Sequence, residues 1–97
     1  MSFIQIIETL TKNFDELQAL GDQYFQASEG KRTLRRGIVT RDRNDPDRYL
    51  ILSFFDSYES AMQNSNLPET SEFAASQMKL VEGPPTFIDL DVIEDRA

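Results

Sequence analysis

Apolar residues recur along the chain at two spacings, which predict four strands and two helical regions. Runs rich in β-branched and aromatic residues indicate strands, and apolar residues at steps of three and four indicate one face of a helix. The predicted strands cover residues 3–10, 34–43, 49–55 and 86–93, and the helical regions cover residues 13–30 and 57–82. This βαββαβ order is the split βαβ arrangement. It predicts a subunit of the α+β class with a ferredoxin-like fold. Right-handed crossovers then place both helical regions on one face of a four-stranded antiparallel sheet.

Two capping-box spacings predict where helices begin. Asn13 is followed three residues later by Glu16, and Asp56 is followed three residues later by Glu59. In a capping box, the two side chains each bond to the other residue's backbone N–H, which satisfies groups that the helix leaves unpaired. The sequence therefore predicts helix starts at Asn13 and at Ser57.

Residues that favour turns predict the breaks between these elements. Residues 44–47 (Asn-Asp-Pro-Asp) predict a hairpin turn between the second and third strands, and Gly37 predicts a bulge in the second strand. Residues 64–68 predict an interruption of the second helical region. After it, Thr70 or Ser71 is predicted to cap a further helical segment.

The strands carry apolar residues in both phases of their alternation. In the first strand, Ile4 and Ile6 share one face with Glu8, while Phe3 and Ile7 share the other. Apolar residues in both phases indicate that both faces of the sheet are covered. The helices cover one face, so we expect a second copy of the chain to cover the other and form a homodimer.

Length and charge narrow the class of protein. The 97 residues suffice for one domain, predicted to span residues 1–97. A net charge of -7 argues against general binding to nucleic acids or anionic membranes, because both need a basic surface. Since the chain shows neither an apolar run of about 20 residues nor a signal-peptide pattern, we expect a cytoplasmic protein.

The absence of two residue types excludes several chemistries. The chain has no cysteine, which excludes disulfides, thiolate metal sites and thiol nucleophiles. It also has no histidine, which removes the commonest general base and metal ligand and the usual haem ligand. We therefore expect no metal site and no cofactor.

Charged residues are distributed unevenly along the chain. Seven of the ten basic residues lie between Lys31 and Arg48, and four acids lie between Asp89 and Asp95. The basic run could bind an anionic ligand, but it more simply protects an edge strand from aggregation. The acidic stretch could bind magnesium or calcium, but no loop resembles a calcium-binding loop, so a solvated acidic terminus is the better interpretation.

The segment Tyr49–Met62 (YLILSFFDSYESAM), together with the element order, resembles the antibiotic-biosynthesis monooxygenase-like family of the dimeric α+β barrel superfamily. The resemblance covers about residues 3–95. Its most specific part is an apolar strand that runs into a D-S-x-E-x-A helix start. The resemblance implies a dimeric α+β barrel and, for activity, a cofactor-free monooxygenase that acts on a phenolic or quinol molecule. The lack of tryptophan and histidine argues against the haem-degrading branch of the superfamily.

By this resemblance, three residues are candidates for catalysis. Asn64 would orient the substrate, Tyr58 would form a hydrogen bond with it, and Glu8 or an arginine would steer its ionisation. The expected substrate contacts are Asn66, Arg36, Phe54 and Met62.

Structural interpretations stand beside these functional ones. The loop around Asn64 contains the residue types that simply break one helix and cap the next. Glu8 could instead form a cross-strand ion pair with an arginine such as Arg36 or Arg41. For the whole protein, the alternatives are a non-enzymatic module that binds a small molecule or a protein, and an isomerase or lyase of the same fold.

Overall fold

A four-stranded antiparallel sheet with three helices on one face forms the protein, as shown by a computed structural model that describes residues 2–97. In chain order the elements are β1 (Phe3–Leu10), α1 (Phe14–Ala27), β2 (Arg36–Asp42), β3 (Asp45–Phe55), α2 (Tyr58–Ser65), α3 (Pro68–Gln77) and β4 (Thr86–Asp91). The strands lie in the order β2-β3-β1-β4, and every neighbouring pair is antiparallel. The ferredoxin-like prediction is confirmed, with the second helical region divided into α2 and α3. The single domain over residues 1–97 stays a prediction, and Met1 lies outside the described residues.

The register of the strands assigns each side chain to one of two faces. Phe3 is paired with Phe55, and both pack against Ala61 of α2, so this phase of the alternation faces the helices. The neighbouring phase faces away from the helices. It is apolar in its middle and carries polar or charged side chains towards its ends. We call it the open face, and its apolar side chains are Ile4, Ile6, Leu10, Ile38, Leu50, Leu52, Phe54, Ile88 and Leu90.

The core on the helix side is small. Phe3, Phe55 and Ala61 form its buried cluster, with Leu34 and Met62 packed against them. At the other end of the sheet, the ring of Phe14 in α1 stacks on Tyr49 of β3, with ring centroids 4.3 Å apart. Because a domain of this size buries only a modest core, covering the open face would add substantially to its buried apolar area.

The capping box predicted for the first helix does not form. Asn13 is the N-cap residue of α1, but its side chain makes no capping hydrogen bond. Its amide instead donates to the backbone oxygen of Leu80, 3.4 Å away, and its backbone N–H donates to the Thr11 hydroxyl, 2.9 Å away. The prediction of a helix start at this position is correct to one residue, but the side chain of Asn13 makes a tertiary contact in place of the predicted cap.

The second helix begins where the sequence predicts, but with a different capping pair. Ser57 is the N-cap residue and forms a reciprocal capping box with Ser60. Asp56 takes no part, because its carboxylate accepts hydrogen bonds from Arg35 at 2.6–3.1 Å. An ion pair with a neighbouring segment has therefore displaced the predicted pair of Asp56 and Glu59.

The predicted break over residues 64–68 is shorter in the structure. α2 continues through Ser65, and α3 begins at Pro68 after the extended residue Leu67. Proline suits the first turn of a helix because its missing N–H would have no partner there. The prediction that Thr70 or Ser71 caps the next helix is therefore wrong, since both residues lie inside α3.

The hairpin between β2 and β3 turns earlier than predicted. β3 already begins at Asp45, and the Asp42 carboxylate accepts from the Asn44 backbone N–H at 2.8 Å, so the turn centres on residues 43–44. The irregularity in β2 lies between Arg41 and Asp42, whereas Gly37 pairs regularly with Ser53. The predicted bulge at Gly37 is therefore wrong, because the register shifts beside the hairpin turn, where residues 46–48 of β3 have no paired residue in β2.

Candidate functional site

Asn64 occupies the centre of a buried hydrogen-bond network on the helix side. Its side chain is in α2 and the residue is only 8% exposed. Its amide oxygen accepts from the backbone N–H of Thr33 at 3.1 Å, and its amide nitrogen donates to the hydroxyl of Tyr24 at 3.0 Å. Since buried polar groups need partners, Asn64 ties α2 to α1 and to the segment before β2.

Tyr24 connects this network to a groove between α1 and α3. Its hydroxyl also lies 3.0 Å from that of Thr70 in α3. Its ring lies 5.4 Å from the ring of Phe73, centroid to centroid, and the two rings form an aromatic wall. A hydroxyl that accepts a hydrogen bond from an amide is polarised towards donating its own proton. The Tyr24 hydroxyl therefore keeps one proton to donate, either to Thr70 or to a molecule in the groove.

The groove is shallow, with a volume of about 190 Å³. This is smaller than the roughly 300–1,000 Å³ of sites for drug-sized ligands, so it suits a molecule with one or two rings. Its lining combines aromatic, small apolar and polar residues: Leu20, Gln23, Tyr24, Ala27, Glu69, Glu72, Phe73 and Ser76.

Glu69 supplies negative charge at the edge of the groove. Its carboxylate accepts from the Lys31 ammonium at 2.8 Å, and its side chain is 17% exposed. The hydrogen bond from Lys31 is the main cause that lowers the pKa of Glu69. A carboxylate with a lowered pKa is a poor proton acceptor, so Glu69 suits electrostatic positioning better than base catalysis.

The other sequence-predicted residues of α2 lie outside this groove. Tyr58 is half exposed at the start of the helix and meets the ring of Phe3 edge-on, with centroids 5.6 Å apart. Met62 packs against the core cluster. Asn66 is the exposed C-cap residue. The structure thus places these three on the same helix as Asn64 but does not bring them together at one pocket.

Glu8, Arg36 and Phe54 lie on the opposite side of the sheet, on the open face. Glu8 accepts from Arg48 at 2.7 Å, and Arg48 also donates to Asp42 at 2.8 Å. A cross-strand ion pair was one of the two interpretations of Glu8, but the partner is Arg48 rather than Arg36 or Arg41. The sheet therefore separates Glu8, Arg36 and Phe54 from Asn64 and Tyr58.

The Asp42 carboxylate at this ion cluster is held in its charged form. Hydrogen bonds from the Asn44 backbone and from Arg48, in that order of size, lower the pKa of Asp42. The pKa of Arg48 is raised by its hydrogen bonds to Asp42 and Glu8. Both pKa shifts favour the charged forms of Asp42 and Arg48.

A second groove, of about 250 Å³, lies at the start of α1. Its two cations are already engaged, since Lys12 donates to Asp47 at 2.6 Å and Arg41 lies over the ring of Tyr49, 5.3 Å from its centroid. Asp15 and Glu16 add negative charge beside them. The site shows no hydrogen-bond network comparable with that behind Tyr24, so the groove between α1 and α3 is the stronger candidate.

Two negative findings concern metals and membranes. Within residues 2–97, no three acidic side chains gather in an arrangement that could hold a metal ion. In β4, Asp89 instead accepts from the Gln5 amide at 3.0 Å. In the same described part of the chain, no helix has the length and apolar character needed to cross a membrane.

The sequence analysis did not identify Tyr24 as a functional residue. Its place among Phe14, Leu17, Leu20 and Phe25 at helical spacing indicated only a buried stripe. The one available signal was its hydroxyl, which a buried position must pair. Which group pairs with it depends on the packing of α1 against α2 and α3.

Comparison with known proteins supports the fold. No protein-family model matches the sequence, and no curated protein matches it. Among solved structures, a proposed antibiotic biosynthesis monooxygenase from Chloroflexus aurantiacus is similar over 100% of this chain and 98% of its own, with a TM-score of 0.75 and 18% identity. The protein Rv0793 from Mycobacterium tuberculosis is similar over 100% of both chains, with a TM-score of 0.81 and 12% identity.

A third similar structure is that of SnoaB, described as a cofactor-independent oxygenase from Streptomyces nogalater, in a variant with an asparagine replaced by alanine. It covers 97% of this chain and 95% of its own, with a TM-score of 0.80 and 9% identity. At such identities the likeness establishes a shared fold. The resemblance to the antibiotic-biosynthesis monooxygenase-like proteins is thus confirmed at the level of the ferredoxin-like fold.

Proposed function

We propose that the protein binds a small phenolic or quinol molecule in the groove between α1 and α3 and oxygenates it without metal or organic cofactor. The observation that carries this proposal is the hydrogen bond from Asn64 to Tyr24, which presents a polarised hydroxyl at an aromatic wall. The shared fold with SnoaB, a cofactor-independent oxygenase, supports the reaction class.

In the proposed reaction, the substrate supplies the electrons. Its ring packs against Phe73, and Tyr24 donates a hydrogen bond to its ionised oxygen, which stabilises the phenolate. The phenol loses its proton to solvent, and the phenolate gives one electron to dioxygen. The resulting radical pair combines at a ring carbon, and the peroxide anion takes a proton from solvent to form a hydroperoxide. Loss of water leaves a quinone, so one phenol and one dioxygen give one quinone and one water.

A binding module without catalysis is the second candidate. The observation that favours it is the lowered pKa of Glu69, which makes this carboxylate at the groove a weak base. On this alternative, the same aromatic wall and hydroxyl hold a phenol without activating it. Both candidates use the same groove and differ only in whether dioxygen is consumed.

We also propose that two copies pair through their open faces. Nine apolar side chains lie on this face, and Ile88 and Leu90 are 44% and 40% exposed. Four strands about 4.8 Å apart and about six residues long give a footprint of roughly 400 Å², which is the size of the largest apolar patch on a typical protein, and such patches are often functional. A second copy brings an identical apolar patch, so a two-fold pair matches each patch with its like.

The groove is tested by thermal unfolding of the protein with a panel of one- and two-ring phenols and quinols. A ligand at about 100 times its dissociation constant adds roughly 2.7 kcal/mol and should raise the melting temperature by several degrees. Tyr24→Phe should abolish the shift. Dioxygen consumption with the ligand that shifts then separates the oxygenase from the binding module.

The same substitution at Tyr58 removes an equivalent hydroxyl outside the groove. Loss of the ligand shift in Tyr58→Phe, with retention in Tyr24→Phe, would place the site where the sequence predicted it. Loss in Tyr24→Phe alone would support the groove. No shift with any compound of the panel would overturn the proposal that this groove takes a small phenol or quinol.

A further inference from the structure

The open face carries opposite charges at its two ends. At one end lies Arg36, which is exposed and close to the ring of Phe54, 5.9 Å from its centroid. Within residues 2–97 no carboxylate forms an ion pair with Arg36. At the other end lies the cluster of Glu8, Arg48 and Asp42, in which two carboxylates surround one guanidinium and leave one net negative charge.

The register shows how far apart these charges lie. Arg36 is in register with Phe54, and Glu8 is in register with Leu50, four residues earlier in the same strand. Four residues of a strand span about 13 Å. The apolar side chains of the open face fill the interval between the two charged ends, so Arg36 cannot reach the cluster of its own chain.

We propose that two copies pack open face to open face with their strand ends reversed, so that Arg36 of each copy meets the cluster of Glu8, Arg48 and Asp42 of the other. This inference rests on the homodimer proposed above. A two-fold axis that runs across the strands reverses their ends and places β2 of one copy over β2 of the other. In a two-fold pair this contact occurs twice. Each contact joins Arg36 of one copy to the negatively charged cluster of the other.

The alternative is an axis that runs along the strands. It would place like ends together and set Arg36 opposite β4 of the other copy. The acids of β4 lie on the wrong side for this contact, because Asp89 and Asp91 are in register with Gln5 and Phe3, which belong to the helix-facing phase. Charge complementarity therefore favours the reversed arrangement, since matched potentials select register and orientation.

A double-mutant cycle on the dissociation constant of the dimer tests this arrangement. The variants are Arg36→Ala, Glu8→Gln and the double variant, measured by sedimentation velocity at low ionic strength, with circular dichroism to verify folding. Arg36→Ala should raise the dissociation constant about three- to thirtyfold, because two partly exposed pairs are lost per dimer. The dissociation constant of the double variant should rise by a factor clearly smaller than the product of the two single factors.

Additivity is the expected result for residues this far apart within one subunit, so coupling between Arg36 and Glu8 would place them together across the interface. Single effects that simply multiply, in a wild-type protein that does dimerise, would overturn the reversed arrangement and leave the homodimer intact. The same cycle between Arg36 and Asp91 is the matched control, and coupling there alone would establish the aligned arrangement instead. A wild-type protein that stays monomeric at tens of micromolar would overturn both the homodimer and this inference.

Discussion

The side-chain amide of Asn64 donates to the hydroxyl of Tyr24 across 3.0 Å and so joins two helices at a buried site. Its other end accepts from the Thr33 backbone. Both polar ends of the amide are therefore occupied, which gives Asn64 a positioning role for Tyr24 on our proposal.

Replacing Asn64 by alanine should destabilise the fold. The change leaves the Thr33 backbone N–H without its partner and removes a donor from Tyr24, and an unsatisfied buried group costs about 1–3 kcal/mol. Urea denaturation should show a lower midpoint with an unchanged slope. The matched variant is Asn66→Ala, at the exposed end of the same helix, which should stay within about 0.5 kcal/mol of wild type. Equal losses in both variants would contradict the buried network.

A second prediction concerns the residue that caps α2. Ser57→Ala removes the hydroxyl that accepts from the Ser60 backbone N–H at 3.0 Å, and loss of such a cap costs about 1 kcal/mol. Glu59→Ala is the comparison, because the sequence assigned the capping role to Glu59 and the structure does not. Chemical denaturation of the two variants decides between them, and a larger loss for Glu59→Ala would restore the sequence-based pairing.

Acid should weaken the fold through three carboxylates whose pKa values are lowered. The Asn44 backbone and Arg48 lower the pKa of Asp42, Arg35 lowers that of Asp56, and Lys31 lowers that of Glu69. The unfolded chain therefore binds more protons than the folded one as these groups titrate, and stability rises with pH in that range. The stabilisation should be complete above the ordinary carboxyl pKa values and should disappear as pH falls through the lowered ones.

Denaturation curves at several pH values between 3 and 6 provide the measurement. Asp56→Asn should flatten the acid dependence relative to wild type. Asp22→Asn on α1 is the control, because Asp22 forms no ion pair within residues 2–97. If wild type and Asp56→Asn lost stability in parallel over this range, the ion pair with Arg35 would have no part in acid sensitivity.

The open face gives a prediction for association. Leu52→Asp places a charge in the middle of the apolar patch and should convert the proposed dimer to a folded monomer, because an uncompensated charge cannot be buried at the interface. Val39→Asp is the matched variant, since Val39 lies in β2 on the helix-facing phase and is 51% exposed. Sedimentation should show the monomer for Leu52→Asp and the wild-type state for Val39→Asp. A dimer that survives Leu52→Asp would place the interface elsewhere.

The sequence by itself determined the order of elements and the two apolar faces of the sheet. Alternation in the strands and the helical spacing of Phe14, Leu17 and Leu20 are local patterns, and each follows from the geometry of one element. The resemblance carried by residues 49–62 pointed to the same fold. The local pattern also identified Asn64 as a candidate residue. It placed Asn64 in a break between helices, whereas the structure places it within α2.

Only the tertiary structure decided which polar groups meet. Three polar side chains have partners that are distant in sequence: Asn13 bonds to Leu80, Asp56 to Arg35, and Glu8 to Arg48. The same holds for Tyr24, whose hydroxyl depends on how α1 packs against α2 and α3. Hydrogen bonds and ion pairs act over about 3 Å, so a shift of one residue in a turn or register selects a different partner. Apolar burial depends on the pattern within each element and requires no particular partner, which is why the fold could be predicted from the sequence and the site could not.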